Sequence, residues 1–483
     1  MITYQDFEKI KEKNNQYVLE SFLLSSINKH VASKEYKTAA DAETYDKQQN
    51  STITNFTKII YNTRGQRIVD QNSANNKICS NFFHRLNTQR CLYSLGNGVS
   101  FTNKKESFDD KGNYIVVDPT KDRLGKNVDV VLKKLGYKAL IHGVSFGYWD
   151  FNKIIPFTLL EFIPLWDEYT GKLRAGIRFY RIDEKKPLIV QLYEEDGITE
   201  WIKEKDGDMI ISQPKKGYIQ DIKSTIAEGI QEIEYSNYEG FPIVPLWGSQ
   251  LKQSTLVGLK NKIDSYDLVN SGFANDLEDL TEIFWIISGA AGMTDRDIAN
   301  YRKRLKHDHI ATIDDEESGI QPYKEEIPYQ ARQVFLENIK NSIYEDFGAL
   351  DVHTIQATST NDHIDAAYQP LDEQADDFEY QLIEFLSNVL ELLGVEDTPI
   401  FKRNRISNQK EQTDMILSAA AYLDTETILN KLPFISVDEI QNIIARKSIE
   451  DGRYQEEVSE YDIQQEDAAT EEDEEKSKGK VNE

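Results

Sequence analysis

A long apolar stripe at residues 256–284 is the feature that most constrains how this chain can fold. Its bulky apolar residues recur at alternating steps of three and four, the spacing that places side chains on one face of an α-helix. The pattern therefore predicts a long helix that needs an equally long surface to pack against. The stripe consists of Leu256, Leu259, Ile263, Tyr266, Phe273, Leu277, Leu280 and Phe284, with Asn270 as the polar residue in the seam.

The charges of this predicted helix run against the helix dipole. Lys260 and Lys262 lie near its start, where the dipole favours negative charge by about 0.3–1 kcal/mol per group. Because this order weakens an isolated helix, the acidic end indicates a function outside the helix itself. The acids that crowd this end are Asp276, Glu278, Asp279 and Glu282.

A second long helix is predicted at residues 328–347. Its apolar residues stand four apart, and Gly348 follows them as a residue suited to terminate a helix. The two long helices together can bury each other's stripes, with residues 283–327 inserted between them. The apolar residues of the second helix are Ala331, Phe335, Ile339 and Ile343.

A third helix is predicted to start beside Thr360 and Asn361, which are good N-cap residues, and to end at Gly394. Pro370 lies inside this helix, where it removes a backbone donor and clashes with the preceding turn. The apolar stripe continues through the proline, so the pattern favours one kinked helix over two separate helices.

The N-terminal half changes character along its length. Residues 1–60 are predicted to form polar helices, and residues 75–95 show helical spacing through Ile78, Phe82, Leu86 and Leu92. A further amphipathic helix is predicted at residues 127–140. From about residue 144 to 244, β-branched and aromatic runs alternate with turn signals, which predicts a strand meander. The runs are LLEFIPLWD, AGIRFYRID, LIVQLYEED and GDMIISQ.

Charge restricts the possible partners. The 483-residue chain has a net charge of −27, and residues 456–483 alone contain twelve acids and three lysines. Affinity for nucleic acid comes from neutralising phosphates with Lys and Arg, so the acidic body is a poor generic binder of DNA. The acidic surface does not exclude a protein that surrounds DNA without adhering to it. The acidic tail lacks the apolar residues needed to order it and is predicted to be disordered.

Several functional classes are disfavoured by what the sequence lacks. Cys79 and Cys91 fit neither a zinc motif nor a disulfide framework, which suggests a reducing compartment. The polar N-terminus has no signal-peptide core, and no apolar run is long enough to span a membrane. A phosphate-cradling Gly-x-x-x-x-Gly-Lys-Ser/Thr motif does not occur. We expect a protein made in a cytoplasm, with no membrane partner and no cofactor.

Two clusters of charged residues admit alternative interpretations. Asp376, Asp377 and Glu379 resemble a two-metal carboxylate site, which would suit a metal-dependent nucleic-acid-processing enzyme. They are more simply the solvated face of the third helix, because Phe378, Leu382 and Phe385 mark its apolar face; no catalytic residue or metal ligand is therefore predicted. The densest basic cluster is either a solvated helix face or a docking surface for an acidic partner or DNA. It consists of Arg296, Arg302, Lys303, Arg304 and Lys306.

Four stretches of the chain are similar to sequence elements of tailed-bacteriophage portal proteins. They are YSLGNGVSF at 93–101, KALIHGVSFGYWDF at 138–151, NYEGFPIVPLWGSQ at 237–250 and KNKIDSYDLVNSGFANDLEDL at 260–280. The last is the most specific, because it matches the family's Ile-Asp-x-Tyr-Asn/Asp-x-x-x-Ser-x-x-x-Asn/Asp stem signature from Ile263 to Asn275. From about residue 75 to 446 the chain resembles the portal family typified by phage SPP1. It departs from the family at Gly98, where proline is common, and at ATSTNDHIDAAY, residues 357–368.

The resemblance implies an α+β portal fold with defined parts. Residues 1–253 would form most of a strand-rich wing, 254–282 and 328–348 two long stem helices, and 283–327 a small α/β clip. Residues 349–361 would form a tunnel loop, 362–397 the kinked helix that runs back into the wing, and 398–455 a helical crown before the acidic tail at 456–483.

The resemblance also implies function and partners. Portal subunits form a ring, usually of twelve copies, at one vertex of the capsid, where double-stranded DNA passes through non-specifically during packaging and ejection. The clip would meet the terminase large subunit and then the head–tail adaptor, while other surfaces meet the major capsid and scaffold proteins. A scaffold-like capsid component without DNA contact remains an alternative, beside the metal-dependent enzyme.

Particular residues receive roles from this resemblance. The DNA-facing tunnel loop would present Asp351, His353, Thr354, Gln356, Thr358 and Ser359, the basic cluster would be the clip docking surface, and Pro370 would be the helix kink. Channel lining or subunit packing in the stem would use Asp264, Tyr266, Asn270, Asn275, Asp276, Glu278 and Asp279. Acidic stem walls would repel DNA over about 8 Å at physiological salt. Asn270 is either a register pin or a channel-facing residue.

Overall fold

The computed structural model describes a mixed α+β chain. The described residues are 2–61, 64–70, 73–108, 114–205, 207–224, 231–279, 284–287, 294, 296–297, 320–323, 329–352, 361–405, 409–432, 435, 440, 443–444 and 446–447. Within these ranges no helix is long and apolar enough to cross a membrane.

Twelve helices are defined in the described part of the chain. They are α1 (Tyr4–Lys11), α2 (Gln16–Ala32), α3 (Lys34–Asp46), α4 (Ser51–Thr54), α5 (Phe82–Leu95), α6 (Pro119–Leu124), α7 (Val128–His142), α8 (Lys260–Asp279), α9 (Tyr329–Phe347), α10 (Asn361–Leu392), α11 (Gln409–Ser418) and α12 (Thr425–Lys431). A 3-10 turn at Ala420–Tyr422 separates α11 from α12.

The strands fall into short antiparallel sheets. They are β1 (Ile59–Tyr61), β2 (Arg67–Val69), β3 (Val99–Phe101), β4 (Lys105–Phe108), β5 (Tyr114–Val117), β6 (Val144–Asp150), β7 (Lys153–Thr158), β8 (Phe162–Trp166), β9 (Leu173–Tyr180), β10 (Leu188–Glu194), β11 (Gly197–Lys203), β12 (Met209–Lys216), β13 (Ile219–Ser224), β14 (Gln231–Ser236), β15 (Ile243–Trp247), β16 (Phe284–Ile287), β17 (Ile320–Tyr323) and β18 (Pro399–Phe401).

The predicted meander is confirmed as a five-stranded sheet in the order β12-β11-β10-β9-β8. Strand β11 was not among the predicted runs, although its residues alternate between buried and half-buried positions. It is joined to β10 by a tight turn in which Glu194 pairs with Gly197. Gly197 has φ +139°, a backbone conformation that residues other than glycine rarely adopt. Helices α1 and α2 cover this sheet with Phe7 and Leu23.

A second sheet, in the order β15-β6-β7, packs with α7 and α10 around another core. This core includes Leu135, Trp149, Phe378 and Phe385, all at most 1% exposed. Its α10 residues come from the predicted third helix, which the structure shows as one continuous helix through Pro370. The preference for one helix over two is therefore confirmed, and Gly394 follows the helix with φ +62°.

A third core joins α3, α5, α8 and α9, and it positions the site described below. Ile263, Ile343 and Phe347 meet Tyr45 and Phe82 there. Helix α9 starts within one residue of its predicted bound. It ends at Gly348, whose φ is +64°, with hydrogen bonds from Gly348 N to Glu345 O and from Ala349 N to Tyr344 O. That pair of bonds is the Schellman arrangement expected for a C-terminal glycine.

Two predicted helix starts are wrong, and the structure shows why. Helix α8 begins at Lys260 rather than at residue 254 or 256, because the preceding segment is held to the end of α7. Ser254 Oγ donates to Ile141 O at 2.5 Å, and Thr255 N donates to Leu140 O at 3.0 Å. Helix α5 begins at Phe82 rather than at residue 75, because the backbone just before it is bonded to α8.

Other bounds also differ from the sequence analysis. The apolar stripe was extended to Phe284, which lies in strand β16 instead of the helix. Strand β18, inside the region predicted as a helical crown, pairs with β3 near the N-terminal half. In the same region, α11 ends at Ser418 and is followed by the 3-10 turn. The acidic tail at 456–483 lies outside the described residues.

Candidate functional site

Helices α8 and α9 form an antiparallel pair that is linked by an ion pair near each end. Lys262 near the start of α8 pairs with Asp346 near the end of α9. At the opposite end, Arg332 Nη1 lies 2.5 Å from Asp276 Oδ2, and its guanidinium also approaches the Phe273 ring. The two helices therefore keep contact along their whole described length.

Burial changes steeply along this pair. At the end nearest the body, Ile263 and Ile343 are fully buried. At the far end, Leu277 is 53% exposed and Val334 is 56% exposed. The pair is thus anchored in the third core at one end, and its apolar residues lie uncovered at the other, where strands β16 and β17 pair antiparallel. Large apolar residues left open in this way mark a contact surface.

A second, polar stripe on α8 binds a segment of the N-terminal half. Asp267, Ser271 and Asn275 stand four residues apart, and each accepts a hydrogen bond from a backbone N–H. The donors are Ser80 N at 2.9 Å, Ile78 N at 2.9 Å and Asn76 N at 2.6 Å, respectively. We refer to residues 76–80 as the strap and to these acceptors as the polar ladder.

The polar ladder can bind the strap because the spacing of its side chains along α8 is close to the spacing of alternate N–H groups along an extended chain. Four helical residues advance about 6.0 Å along the axis. Two residues of an extended chain advance about 6.6 Å. Every second N–H of the strap therefore meets a ladder side chain, with the strap running antiparallel to α8. Glu278 extends the ladder by accepting from Asn76 Nδ2 at 2.8 Å.

The ladder continues toward the start of α8 with bonds to α3 and the following turn. Asp267 is completely buried and also accepts from the Asn50 side chain. Burial raises the pKa of the Asp267 carboxyl, although the hydrogen bonds from Asn50 and Ser80 oppose that shift. Asp264 accepts from Thr52 Oγ1 at 2.8 Å and from the Tyr45 hydroxyl.

The stem residues proposed from the sequence divide into two groups. Asn275 and Glu278 contact the strap, and Asp264 contacts Thr52 of α4 and Tyr45 of α3, so all three bind other parts of the same subunit. Tyr266 packs edge-to-face against Phe82 with ring centroids 4.9 Å apart, and Asp276 pairs with Arg332. Asn270 is half-buried, and the side chain of Asp279 lies outside the described residues.

Asp267 and Ser271, the two most buried members of the ladder, belong to the stem signature but were assigned no role from the sequence. A signal for them existed. Positions 264, 267, 271, 275 and 278 follow the same steps of three and four as the apolar stripe, but with polar residues. Two stripes on one helix indicate two packing partners, of which the second accepts hydrogen bonds.

The base of the predicted tunnel loop is held by α5. The Gln89 amide spans Leu350, donating to its carbonyl at 2.9 Å and accepting from its N–H at 3.1 Å. Arg90, only 5% exposed, donates to Phe347 O at 2.5 Å and lies 4.0 Å from the centroid of that ring. Asp351 pairs with Lys340 at 3.1 Å. The other predicted loop residues, His353, Thr354, Gln356, Thr358 and Ser359, lie outside the described residues.

Little of the predicted clip is described. Strands β16 and β17 pair antiparallel, with Phe284 opposite Tyr323. Residues 298–319, which precede β17 in the chain, lie outside the described residues. Arg296 is exposed in a short helical turn beside Thr294 and Asp297, which bond to each other reciprocally. The remaining basic residues, Arg302, Lys303, Arg304 and Lys306, lie outside the described residues.

The acidic face of α10 is ion-paired. Arg403 binds Asp372 at 2.9 Å, Glu379 at 2.9 Å and also Asp376. Asp377 instead accepts from Gln250 N at 3.1 Å. Among the described residues no group of His, Cys, Asp and Glu side chains is arranged to hold a metal ion. The metal-site interpretation of these acids is therefore unsupported. They lie on the outer face of α10 as expected, with Asp376 exposed, but Asp376 and Glu379 also pair with Arg403 in the segment after β18.

Helix α3, which carries Tyr45 to the ladder, is itself held to α7 by the half-buried carboxylate of Glu43. Glu43 accepts from His142 Nε2 at 2.8 Å and from the Lys138 ammonium. The His142 bond is the main cause that lowers the pKa of Glu43 from 4.5 to about 2, against the opposing effect of burial. This carboxylate therefore stabilises the folded chain when ionised.

We expect Glu43→Gln to reduce the acid sensitivity of folding. Because the folded pKa is depressed, the stabilisation is complete above pH 4.5 and is lost as the pH falls toward 2. Its size is on the order of 2 kcal/mol. The thermal unfolding midpoint, measured from pH 7 to 3, should fall less in Glu43→Gln than in wild type. Glu195→Gln, which loses an exposed pair with Arg174, is the control and should follow wild type; parallel curves for Glu43→Gln and wild type would refute the assignment.

Comparison with known proteins places this chain among relatives of one kind. Residues 27–470 match the family model described as phage portal protein, SPP1 Gp6-like. The portal protein of Clostridium phage phiCD119 is 30% identical over 220 residues, which cover 43% of this chain and 48% of that relative. The portal protein of Bacillus phage SPP1 is 22% identical over 407 residues, covering 78% of this chain and 77% of the relative. The match thus spans about half the length of the first relative and about three quarters of the second.

Solved structures with similar folds come from gene transfer agent particles. A chain of the native virion superposes with a TM-score of 0.41 at 7% identity, covering 72% of this chain and 88% of that chain. A chain of the native particle's neck, computed with C12 symmetry, superposes with a TM-score of 0.39 at 9% identity and covers 75% and 89%.

Proposed function

This chain belongs to the SPP1 Gp6-like family of phage portal proteins, and we propose that it forms a closed ring that conducts DNA through one vertex of a tailed-phage capsid. The observation that carries the proposal is the family match over residues 27–470, because it includes α8, α9 and α10 together. Electron microscopy of the purified protein tests it. Closed rings with a central hole are expected, and a protein that stays monomeric at assembly concentrations would count against it.

The α8–α9 pair is the proposed channel wall. It is anchored in the third core at one end, and its other end adjoins the paired strands β16 and β17. The net charge of −27 suits a wall that DNA must pass without adhering, although Asp276 and Glu278 near the end of α8 are bound to Arg332 and Asn76. Each phosphate contact made by Lys or Arg would add affinity and friction, whereas negative charge keeps the duplex away over about 8 Å.

The ring is proposed to contain about twelve copies, as is usual in the family. Such a ring needs one heterologous contact that repeats and closes. Within the assembled particle, residues 1–253 and 362–397 would form the wing, 398–455 the crown, and other surfaces would meet the major capsid and scaffold proteins. We propose residence at the capsid vertex of the virion after assembly in the host cytoplasm.

Residues 283–327 are the proposed clip, which docks the terminase large subunit during packaging and the head–tail adaptor afterwards. Residues 254–282 and 328–348 would be the two stem helices. The basic cluster at 296–306 supports this role, since it is the local exception in an acidic chain. A positive patch steers and orients an acidic partner.

Neutralising Arg302, Lys303 and Arg304 together is expected to weaken docking of terminase or adaptor roughly tenfold, since each exposed pair contributes up to about 1 kcal/mol. Ring formation should be unchanged, because these residues lie in the segment between the long helices. Surface plasmon resonance on purified rings measures the affinity. The control neutralises three basic residues in the β9–β10 turn, Arg181, Lys185 and Lys186, and should dock with the wild-type affinity. Loss of rings with docking retained would show that the cluster serves assembly instead.

A further inference from the structure

The hairpin formed by β1 and β2 exposes most of its side chains. Ile59 pairs with Val69, Ile60 with Ile68, and Tyr61 with Arg67. The five large apolar residues among them are between 40% and 64% exposed. A two-stranded sheet is marginally stable without cover, and an apolar cluster of this kind marks a contact surface. We refer to residues 58–70 as the hairpin.

Both ends of the hairpin are fixed to the polar ladder of α8. Before it, Asn50 and Thr52 bond to Asp267 and Asp264. After it, the strap starts with Asn76 bonded to Asn275 and Glu278. A backbone hydrogen bond from Asp70 N to Lys58 O at 2.9 Å closes its base. The hairpin therefore lies on the side of α8 that carries the ladder.

Helix α9 lies on the opposite side of α8. The α8 residues that meet α9 include Lys262, Phe273 and Asp276. At about 100° per residue, their mean direction is roughly half a turn from that of the ladder residues. The order across this part of the subunit is hairpin and strap, then α8, then α9. One flank of the subunit is thus the hairpin, and the other is the outer side of α9.

The outer side of α9 complements the hairpin in character. By the same helical geometry, the side turned away from Arg332 and Asp346 carries Val334, Glu337 and Glu345, all exposed. The hairpin contains Lys58, Arg64 and Arg67 against the single acid Asp70. An apolar, net basic flank and an acidic flank with an exposed valine therefore stand on opposite sides of the same chain.

We propose that the hairpin of each subunit packs against the outer side of α9 in the next copy of this chain. The proposal rests on the proposed ring, and it names two surfaces that close it. A heterologous ring requires two complementary patches on opposite flanks of one protomer, and these are such a pair. The strap then has a purpose, since it fixes the hairpin to the same helix that packs against α9.

Cross-linking between subunits tests this pairing. Ile68→Cys and Val334→Cys are combined in one chain with Cys79→Ser, so that Cys91, which is buried, is the remaining native thiol. Purified rings are treated with a short bismaleimide and separated under denaturing conditions. The proposal predicts a ladder of covalent oligomers extending to the full ring, because each link joins successive copies.

The controls separate failure of the pairing from failure of the ring. Each single cysteine variant should form rings but yield only single chains under denaturing conditions. The same result is expected for Val334→Cys combined with Ile182→Cys, because Ile182 is 78% exposed in the β9–β10 turn. Intact rings that yield only monomers, or a link within one chain, would overturn the hairpin contact and leave the ring in place. A link from Ile68→Cys to an added capsid protein, with no link between copies of this chain, would assign the hairpin to that protein. Absence of rings for the unmodified chain would refute the proposed function itself.

Charge reversal gives a second readout. Arg67→Glu together with Ile68→Glu should raise the concentration needed for ring assembly by roughly tenfold, since it removes apolar contact and opposes Glu337 and Glu345. Circular dichroism confirms that the variant is folded. A folded variant that assembles at the wild-type concentration would contradict the proposal.

Discussion

Asp267→Ala is expected to destabilise the folded chain by about 2–4 kcal/mol, because it removes the acceptor shared by the buried Asn50 amide and the partly buried Ser80 N–H. The Asp267 carboxylate accepts from Ser80 N at 2.9 Å and from the Asn50 side chain, and the residue is completely buried. Water cannot replace these bonds at a buried position. Asp267→Asn keeps one acceptor oxygen and should lose only part of this stability.

Two measurements check this expectation. Chemical denaturation gives the overall loss, and hydrogen exchange gives its location, which matters because a chain of this size need not unfold in one step. Exchange should accelerate most at Ile78 and Ser80 in the strap. Asp276→Ala is the matched control on the same helix, since it breaks a partly exposed pair with Arg332 and should cost less than about 1 kcal/mol. Equal losses for both variants, with strap protection unchanged, would contradict the ladder.

Shortening the tunnel loop is expected to reduce DNA packaging by roughly tenfold or more while rings still form, since long loops held by a rigid base usually carry function. The change is confined to residues 353–360, so that the base stays intact. That base is fixed by Gln89 on Leu350 and by Lys340 on Asp351. Assembly should be retained because these anchors belong to α5 and α9.

Packaging is measured as nuclease-protected DNA per capsid. A matched control removes two residues from the β9–β10 turn, another exposed connection, and should package normally. Normal DNA filling by the shortened-loop variant would exclude a role for these residues in DNA passage. Loss of rings would instead move the loop into the subunit interface.

The sequence predicted the elements whose periodicity is strong and local. Helix α9 and its glycine stop, the single helix through Pro370 and most of the meander follow from spacing and turn residues. Strand β11 was missed because apolar and polar residues alternate only weakly in its sequence, although its burial alternates. It also depends on a tight turn at Gly197. The spacing of apolar residues alone does not show which neighbouring strands such a strand pairs with.

The site was harder to predict because its bonds are long-range. Ile78 fits a helical stripe in the sequence, yet its N–H is bonded to Ser271, far away along the chain. The start of α8 was likewise misplaced because Ser254 and Thr255 bond to the end of α7. Local propensity favoured helix at both places, and tertiary hydrogen bonds overrode it.

The polar ladder also changes how the acids of α8 are understood. Asp264 and Glu278, taken from the sequence as candidates to face a channel or a neighbour, bind α4 and the strap. At the acidic end of α8, the Asn76 amide that binds Glu278 offsets part of the unfavourable helix dipole. Asp276 is paired with α9, so the acidic end helps to join three layers of one subunit. Asn270 remains a candidate for register or channel contact.

A cryo-electron-microscopy map of the assembled ring tests the central claim most directly. The account predicts a continuous channel whose narrow wall consists of α8 and α9 from every subunit, with the outer side of each α9 against the hairpin of a neighbour. A ring whose channel is lined by other elements, with the α8–α9 pair on the outside, would contradict it.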